Sequence, residues 1–554
     1  MSTKRSISQH VRSAKFWLTL TFMLALTLGV MPANAAGVHY AKPIASGTGD
    51  CLSWDNACAL QTALTGATSG NEIWVAAGTH KPTTETDRSI DFQLKSGVAL
   101  YGGFAGTETA RDQRNPALHV TILSGDIDNN DSQAPIITNP ATVTGNTTNS
   151  YHVVTGATGA TLDGFTITAG YGGASRYGGG MYNLASSPAL SNVTFSGNMA
   201  DSGGGMANRS YSNPTLTNVT FGGNSASQGG GMYNNNSNPT LTNVTFILNS
   251  APSGDGGGMD NESSSPTLTN VTFSFNSSSG GAGGGMNNTT GSNPTLTNVT
   301  FNGNSANWGG GMNNYNSSNP QIRNTIFWGN TDNSHGAQIY NYNSSTPIVN
   351  DSVVQDGCPA QSACTNIIIT NPLLGTLGYY GGFTLVVPLQ TGSSAINTGN
   401  DAVCPATDQR GVSRPQGMHC DIGAYEYQPP DTIPPTVFSI TRDDANPTNL
   451  TSVDFTVTFS EPVTGVNVTD FTLTTSGISG AFVSGVNGSG SVYTVTASTG
   501  SGIGTLRLDV VDDDSIVDMA GNPLGGTGTG NSNFIGGEMY DVRFHLIYLP
   551  LVFK

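Results

Sequence analysis

Charge is what this 554-residue chain has least of. Asp, Glu, Lys and Arg together make up 10% of it, and the 19 basic residues are outnumbered by 36 acids. A formal net charge of −17 repels phosphate backbones and anionic lipid, so nucleic-acid and membrane-surface binding are excluded as functions. Cysteine is also sparse, at 6 residues, and no C-x-x-C occurs. Histidine is not clustered with cysteine either, which argues against a zinc site. The chain has one long apolar run, Phe16 to Val30, and it is short for a membrane span.

That run has a different meaning. Lys4, Arg5, Arg12 and Lys15 precede or open it, and Ala33-Asn34-Ala35 follows, the layout of a secretory signal with an A-x-A cleavage site. Cleavage removes four basic residues and no acid, leaving a more acidic mature chain without a transmembrane span. Secretion in turn gives the cysteines a role. An even number in local pairs fits disulfides, and the spacing favours Cys51–Cys58, Cys358–Cys364 and Cys404–Cys420, although sequence alone leaves the connectivity open.

Glycine, Asn, Ser and Thr are abundant, and they are ordered. Between Gly178 and Val354 a unit of about 25–28 residues recurs seven times; one copy reads GGGMANRSYSNPTLTNVTFGGNSA. Met181, Met206, Met232, Met259, Met286 and Met312 form one column, continued by Ile339. Two residues on lies an unbroken ladder of Asn183, Asn208, Asn234, Asn261, Asn288, Asn314 and Asn341. Leu and Phe columns follow, with further Asn columns at 192, 218, 243, 270, 298, 324 and 350, and at 198, 224, 249, 276, 304 and 330. Apolar segments this short are strands, not helices. Self-similarity at this period means a solenoid, in which each coil buries its apolar face only against its neighbours. The expectation is an all-β chain with a right-handed parallel β-helix. Met, Leu and Phe stack inside, and Asn takes the left-handed corners. On this reading the Met column is core, and the Asn-Val-Thr triplets are corners entering strands rather than glycosylation sites. The segment DNACALQTALTG, Asp55 to Gly66, reads as a short amphipathic helix with Asp55 at its N-cap, covering the first coil.

Other motifs flank the repeat: NEIWVAAGTHKPT (Asn71 to Thr83), SGVALYGGFAGTETARDQRNP (Ser96 to Pro116), TILSGDID (Thr121 to Asp128), LDGFTITAG (Leu162 to Gly170) and ATDQRGVSRPQGMHCDIGAYEY (Ala406 to Tyr427). In these the chain resembles bacterial secreted parallel β-helix proteins of the choice-of-anchor Q type, over roughly residues 50–427. The resemblance implies a pectate-lyase-like solenoid on a secreted or surface-attached protein. It implies no established reaction. Beyond a Pro-rich linker, FSEPVTG and DMAGNPL sit among alternating strands that suggest an Ig-like β-sandwich, and they resemble bacterial Ig-like domains. The expected order is signal peptide 1–35, cap 36–70, N-terminal coils 71–170, repeat coils 171–357, C-terminal coils and closing motif 358–428, linker 429–436, Ig-like domain 437–543, and an apolar tail 544–554. The tail reads as a sorting signal or as a last packed strand.

Candidate chemistry is thin. A lyase wants a base beside calcium-binding acids, and a glycosidase wants two carboxylates. From Tyr171 to Asn350 the chain offers Arg176, Arg209 and Arg323, no Lys, and Asp201, Asp255, Asp260, Glu262 and Asp332, which read as isolated solvated side chains. No catalytic residue and no required cofactor is assigned. Calcium is a candidate at GDIDNND, through Asp126, Asp128, Asn130 and Asp131. A weaker candidate is the acidic loop of Asp512, Asp513, Asp514 and Asp518. Tyr182, Tyr233 and Tyr340 alternate with core positions and so point outward, in a column shared with Asp260; these four are candidates for contact with a polysaccharide or a surface glycan or protein. The expected function is a non-catalytic adhesive or structural solenoid at the cell envelope. The rivals are a polysaccharide lyase or hydrolase and a carbohydrate-binding protein. The oligomeric state is open.

Overall fold

The computed structural model describes residues 37–333 and 336–543. The expected signal peptide and apolar tail lie outside the described residues. Among those described, no helix is long and apolar enough to cross a membrane. The chain divides into two units, residues 1–427 and 428–554.

The first unit is a parallel β-solenoid. Its widest sheet has 16 strands, and the first five repeats each contribute one eight-residue strand, such as Thr215–Gly222, Thr240–Ile247 and Thr267–Ser274. A second sheet of nine strands carries the Met column, in perfect register: Met206 opposite Met232, Met232 opposite Met259, Met259 opposite Met286. Two short two-stranded sheets make a third face, Met199–Ser202 with Ser225–Gln228 and Ser277–Ala282 with Ser305–Trp308. Every pairing in this unit that joins named strands is parallel, as a chain coiling in one direction requires.

The repeat explains the eight-residue strands. Leu216, Val219 and Phe221 are all fully buried, yet Leu216 and Val219 are three residues apart, and strict alternation would turn one of them outward. Asn218 between them adopts φ +56° and turns the strand so that both face inward. The same left-handed turn recurs at Asn192, Asn243, Asn270, Asn298 and Asn324. Among the Asn columns, corner geometry therefore belongs to this one. The column from Asn183 to Asn341 lies in the Met strands instead, buried and pointing in.

Successive coils stack side chain on like side chain. Phe195, Phe221, Phe246, Phe273, Phe301 and Phe327 form a continuous pile with ring centroids 4.5–4.8 Å apart, the spacing of hydrogen-bonded strands. The Asn183-to-Asn341 ladder runs parallel to it, each Nδ2 donating to the next Oδ1 at 2.8–2.9 Å. A second amide ladder, Asn198 to Asn330, also ties down backbone: the Asn198 N–H donates to Asn224 Oδ1 at 3.0 Å, while Asn224 Nδ2 donates to the Phe195 carbonyl. At Gly230 the coils come too close for a side chain, since a Cβ there would lie 2.4 Å from the Ser250 carbonyl oxygen.

At the N-terminal end the helix Leu60–Gly66 packs Leu60, Ala63 and Leu64 into the core. Its N-cap residue is Ala59 rather than Asp55, because the chain through Cys58 is held by a bridge to Ala41 and helical geometry starts only beyond it. All three cysteine pairs are disulfide-bonded, Cys51–Cys58, Cys358–Cys364 and Cys404–Cys420.

The other end departs from expectation. Only one strand, Ala363–Ile368, follows the repeat, and among the described residues no further named strand precedes Val437. Residues 369–427 form a strap that runs back along the flank of the coils. Leu385 accepts from Thr245, Thr407 from Asn270 and Asp421 from Asn298, and the Gly423 N–H donates to Asn324. Four successive coils are thus laced together. The closing motif is a buried network in this strap. Arg414, fully buried, donates to Glu426 at 2.8 Å and to the Asp421 and Gly423 carbonyls, and Arg410 pairs with Asp408.

The second unit is antiparallel. Val437–Arg442, Ser452–Thr464, Phe482–Ser498 and Val517–Asp518 make one sheet; Phe471–Ser479, Ser501–Val510 and Met539–Val542 make another. A shared core of Phe455, Val457, Val495, Leu506, Leu508 and Tyr540 joins them.

Candidate functional site

The outward column of the Met sheet runs Tyr182, Ala207, Tyr233, Asp260, Asn287, Asn313, Tyr340, and its two halves differ. In the N-terminal half the expected exposed face is covered. Tyr177, from the loop before the first Met strand, stacks on Tyr182 and Tyr233, and Arg209 lies over the Tyr177 ring at 3.9 Å. Tyr233 is left 4% exposed, with its hydroxyl donating to Glu262 at 2.7 Å. Burial, then Glu262, pushes that phenol's pKa up. Tyr182 is half-buried, stacked also on His152.

Asp260 is 3% exposed and accepts from Asn287 Nδ2 at 2.8 Å, and Asn287 in turn accepts from Asn313 at 2.7 Å. Burial drives its carboxyl well above the usual range, and the charges of Asp255 and Glu262 add to the effect. Tyr233 and Asp260 are therefore not surface contacts, and Asp260 is not a solvated acid. Alternation gives the side of a sheet a residue points to; it does not say what flanks that side.

In the C-terminal half the column opens into a groove of about 510 Å³. One wall comes from the Met sheet: Asn287 and Thr289, Asn313 and Tyr315, Tyr340 and Tyr342. The other comes from the third face: Asp255, Ala282 and Trp308. These residues belong to four successive coils, so the groove runs roughly 14 Å along the axis. Tyr315 and Tyr342 stack at 5.8 Å and Tyr342 and Tyr340 at 6.4 Å, giving a bank of parallel rings. Tyr340 and Tyr342 also line a smaller cavity of about 280 Å³ beyond, bordered by Asp356 to Gln361 of the turn that the Cys358–Cys364 bond closes.

Asp255 is the one acid on the groove wall. Its Oδ1 accepts from the Ala282 N–H at 2.7 Å, and no basic side chain pairs with it among the described residues. Burial raises its pKa. Tyr340 alone of the sequence candidates lies in this groove. Trp308, Tyr315 and Tyr342 were not anticipated, since each occurs in only one or two coils.

A second cleft, of about 740 Å³, lies beside the GDIDNND loop. Lys81, from 45 residues upstream, reaches into that loop. Its Nζ donates to the Asp126 carbonyl and to Asn129 Oδ1 at 2.7 Å, and stands 3.5 Å from Asp126 Oδ2. Of the four candidate calcium ligands only Asp126 touches the ammonium, so a calcium ion and Lys81 would compete for Asp126 alone. Asp128 and Asn130 bond one another at the exposed edge. Asp131 accepts from Asn149 at 2.8 Å, and its Oδ1 is buried without a partner. Burial, with the charges of Asp126 and Asp128, raises its pKa to about 6.

The remaining charged motifs are structural. Arg111 pairs with Glu72 and Arg114 with Asp163, both against the Tyr101 ring, and Glu108 accepts from the N–H groups of Ala105, Gly106 and Thr107. In the second unit Asp512 and Asp513 fix their own turn through backbone N–H groups. Asp518 instead joins Asp431 and Glu461, with carboxylate oxygens within 4.8 Å of one another.

No protein-family model matches this chain, and no curated protein matches it in sequence. Among solved structures it is similar to the pectate lyase Pel9A, at 10% identity and a TM-score of 0.39, over 71% of this chain and 96% of the lyase. It is also similar to XylC, solved in complex with xylose, at 10% identity and a TM-score of 0.28, over 70% of this chain and 98% of XylC. The parallel β-solenoid defined by the strand register is the architecture of the first unit.

Proposed function

We propose that this chain is a secreted or cell-surface, non-catalytic β-solenoid of bacterial origin that holds carbohydrate in the Trp308–Tyr315–Tyr340–Tyr342 groove. Its role is adhesive or structural at the envelope. The groove carries this reading: flat rings offer faces to sugar rings, and Asn287, Asn313 and Thr289 beside them offer hydrogen bonds to hydroxyls. The choice-of-anchor Q resemblance supports surface placement. The two-sheet antiparallel unit with its FSEPVTG and DMAGNPL turns supports an Ig-like spacer or adhesive module.

Hydrolysis fits the groove less well, because it needs two carboxyl groups flanking one bond, and Asp255 stands there alone. A lyase or hydrolase is the second reading, favoured by Lys81 and Asp126 in the 740 Å³ cleft. A base must be free to accept a proton, however, and Lys81 is committed to loop oxygens. The test incubates mature protein from Ala36 with neutral and acidic polysaccharides, with calcium and with chelator. Retention in affinity electrophoresis without new reducing ends or unsaturated products is the expected result. Turnover above a heat-killed control would sink the non-catalytic reading.

A further inference from the structure

The groove is built for a particular charge as well as for flat rings. Four aromatic side chains converge on it, and the exposed parts of Trp308, Tyr315 and Tyr342 (41%, 42% and 55%) present π-systems to whatever enters. Ring faces carry negative potential and attract cations, most strongly in a partly desolvated site. Asp255 adds a carboxylate on the wall it shares with Trp308, across from the three Tyr rings. That carboxylate has one hydrogen bond, from Ala282, and no basic partner among the described residues. No Lys or Arg lines the groove, so nothing there would repel a positive ligand or welcome a uronate.

We infer that the groove selects glycans carrying a protonated amine, that is, deacetylated hexosamine units, over neutral or acidic ones. The rings pack on the sugar and the Asp255 carboxylate pairs with the ammonium. The groove crosses four coils, which suits a short oligosaccharide segment laid along the axis rather than a single sugar. Burial holds the Asp255 carboxyl above its ordinary pKa, the direction expected of an acid lacking a cation that a ligand would supply.

This inference rests on the carbohydrate-binding reading, and one experiment separates the two. Calorimetry near neutral pH compares glucosamine hexamer, its N-acetylated form, cellohexaose and an oligogalacturonate, with choline as a free ammonium. The glucosamine hexamer is expected to bind roughly tenfold more tightly than the N-acetylated form, with the advantage shrinking as salt is added. Asp255→Asn should erase that advantage, bringing the glucosamine hexamer to the affinity of its N-acetylated form. Trp308→Ala should weaken all the sugars alike. Circular dichroism checks that both variants keep the fold. Equal binding of the amine and acetylated forms overturns the ammonium selection and leaves carbohydrate binding standing. Choline binding as tightly as the hexamer overturns the assignment to a sugar. No binding of any oligosaccharide overturns both.

Discussion

Asp131 sits in a fold that resists its ionisation. Its native pKa of about 6 lies above the ordinary 3.8, so the folded state holds a proton that the unfolded chain has released. The sign follows: stability falls as pH rises from about 3.8 to 6 and is constant above. Asp131→Asn removes this penalty and keeps an acceptor for Asn149. Its unfolding free energy should exceed the parent's above pH 6 by on the order of 1 kcal/mol, with partial exposure allowed for, and match it near pH 4, as read by melting temperatures across that range. Lys81 gives the complementary test. Lys81→Ala leaves Asp126 and its neighbours without a cation and should cost about 1–3 kcal/mol. Calcium should restore part of the loss in the variant, while calcium or chelator should leave the parent's melting temperature unchanged. A parent that loses stability with chelator would show that calcium wins the competition for Asp126. The acids of this loop were legible in the sequence, because alternating oxygens in a Gly-Asp-Asn run are a local pattern. Lys81 was not, because solenoid winding alone brings it there.

At the scale of the coil, the two kinds of Asn should answer mutation differently. Asn261 lies fully buried, accepting from Asn234 and donating to Asn288. Asn261→Ala strands a donor on one neighbour and an acceptor on the other, a cost of about 2–4 kcal/mol. Asn243 is needed for its left-handed backbone at φ +56°. Asn243→Gly keeps that turn but loses the 3.2 Å bonds to Asn218 and from Asn270 and should cost about 1 kcal/mol, whereas Asn243→Val loses both turn and bonds and should cost about 2–4 kcal/mol, as read by denaturant midpoints. The sequence made the coil legible through its regularity: identical Phe and Met at one period can only stack. It hid the groove for the same reason. Tyr315 and Tyr342 replace Thr289 in the last coils, and Trp308 reaches them from a different face, so the site arises where the repeat breaks its own pattern. Strand alternation is blind to Tyr177 folding over Tyr233 with Arg209 behind it, and to the burial of Asp260 against Asn287.

For the whole molecule, the strap is the element the sequence least foretold. Its motif, Ala406 to Tyr427, is legible as the closing motif of the resemblance, but a motif that lacks strand periodicity carries no sign of where it will be buried. Glu426→Gln leaves Arg414 buried without its counter-charge, at an expected cost of about 3–5 kcal/mol. The loss should be local first: limited proteolysis should cut within residues 369–427 at protease levels that leave the parent intact, while the coils still unfold at the higher temperature. Simultaneous loss of strap and coils would mean that the two fold as one cooperative unit.

The strap also decides how the molecule answers a pull. Its last residue, Tyr427, leads directly into the C-terminal unit, so tension on that unit enters the solenoid through the strap and not through the terminal coil. Bonds to Thr245, Asn270, Asn298 and Asn324 lie along the strap's length, so four coils share the load. Coils hauled from their free end would instead peel one at a time. A protein tugged by its C-terminal unit would thus have to strip the strap from four coils before any coil unwinds.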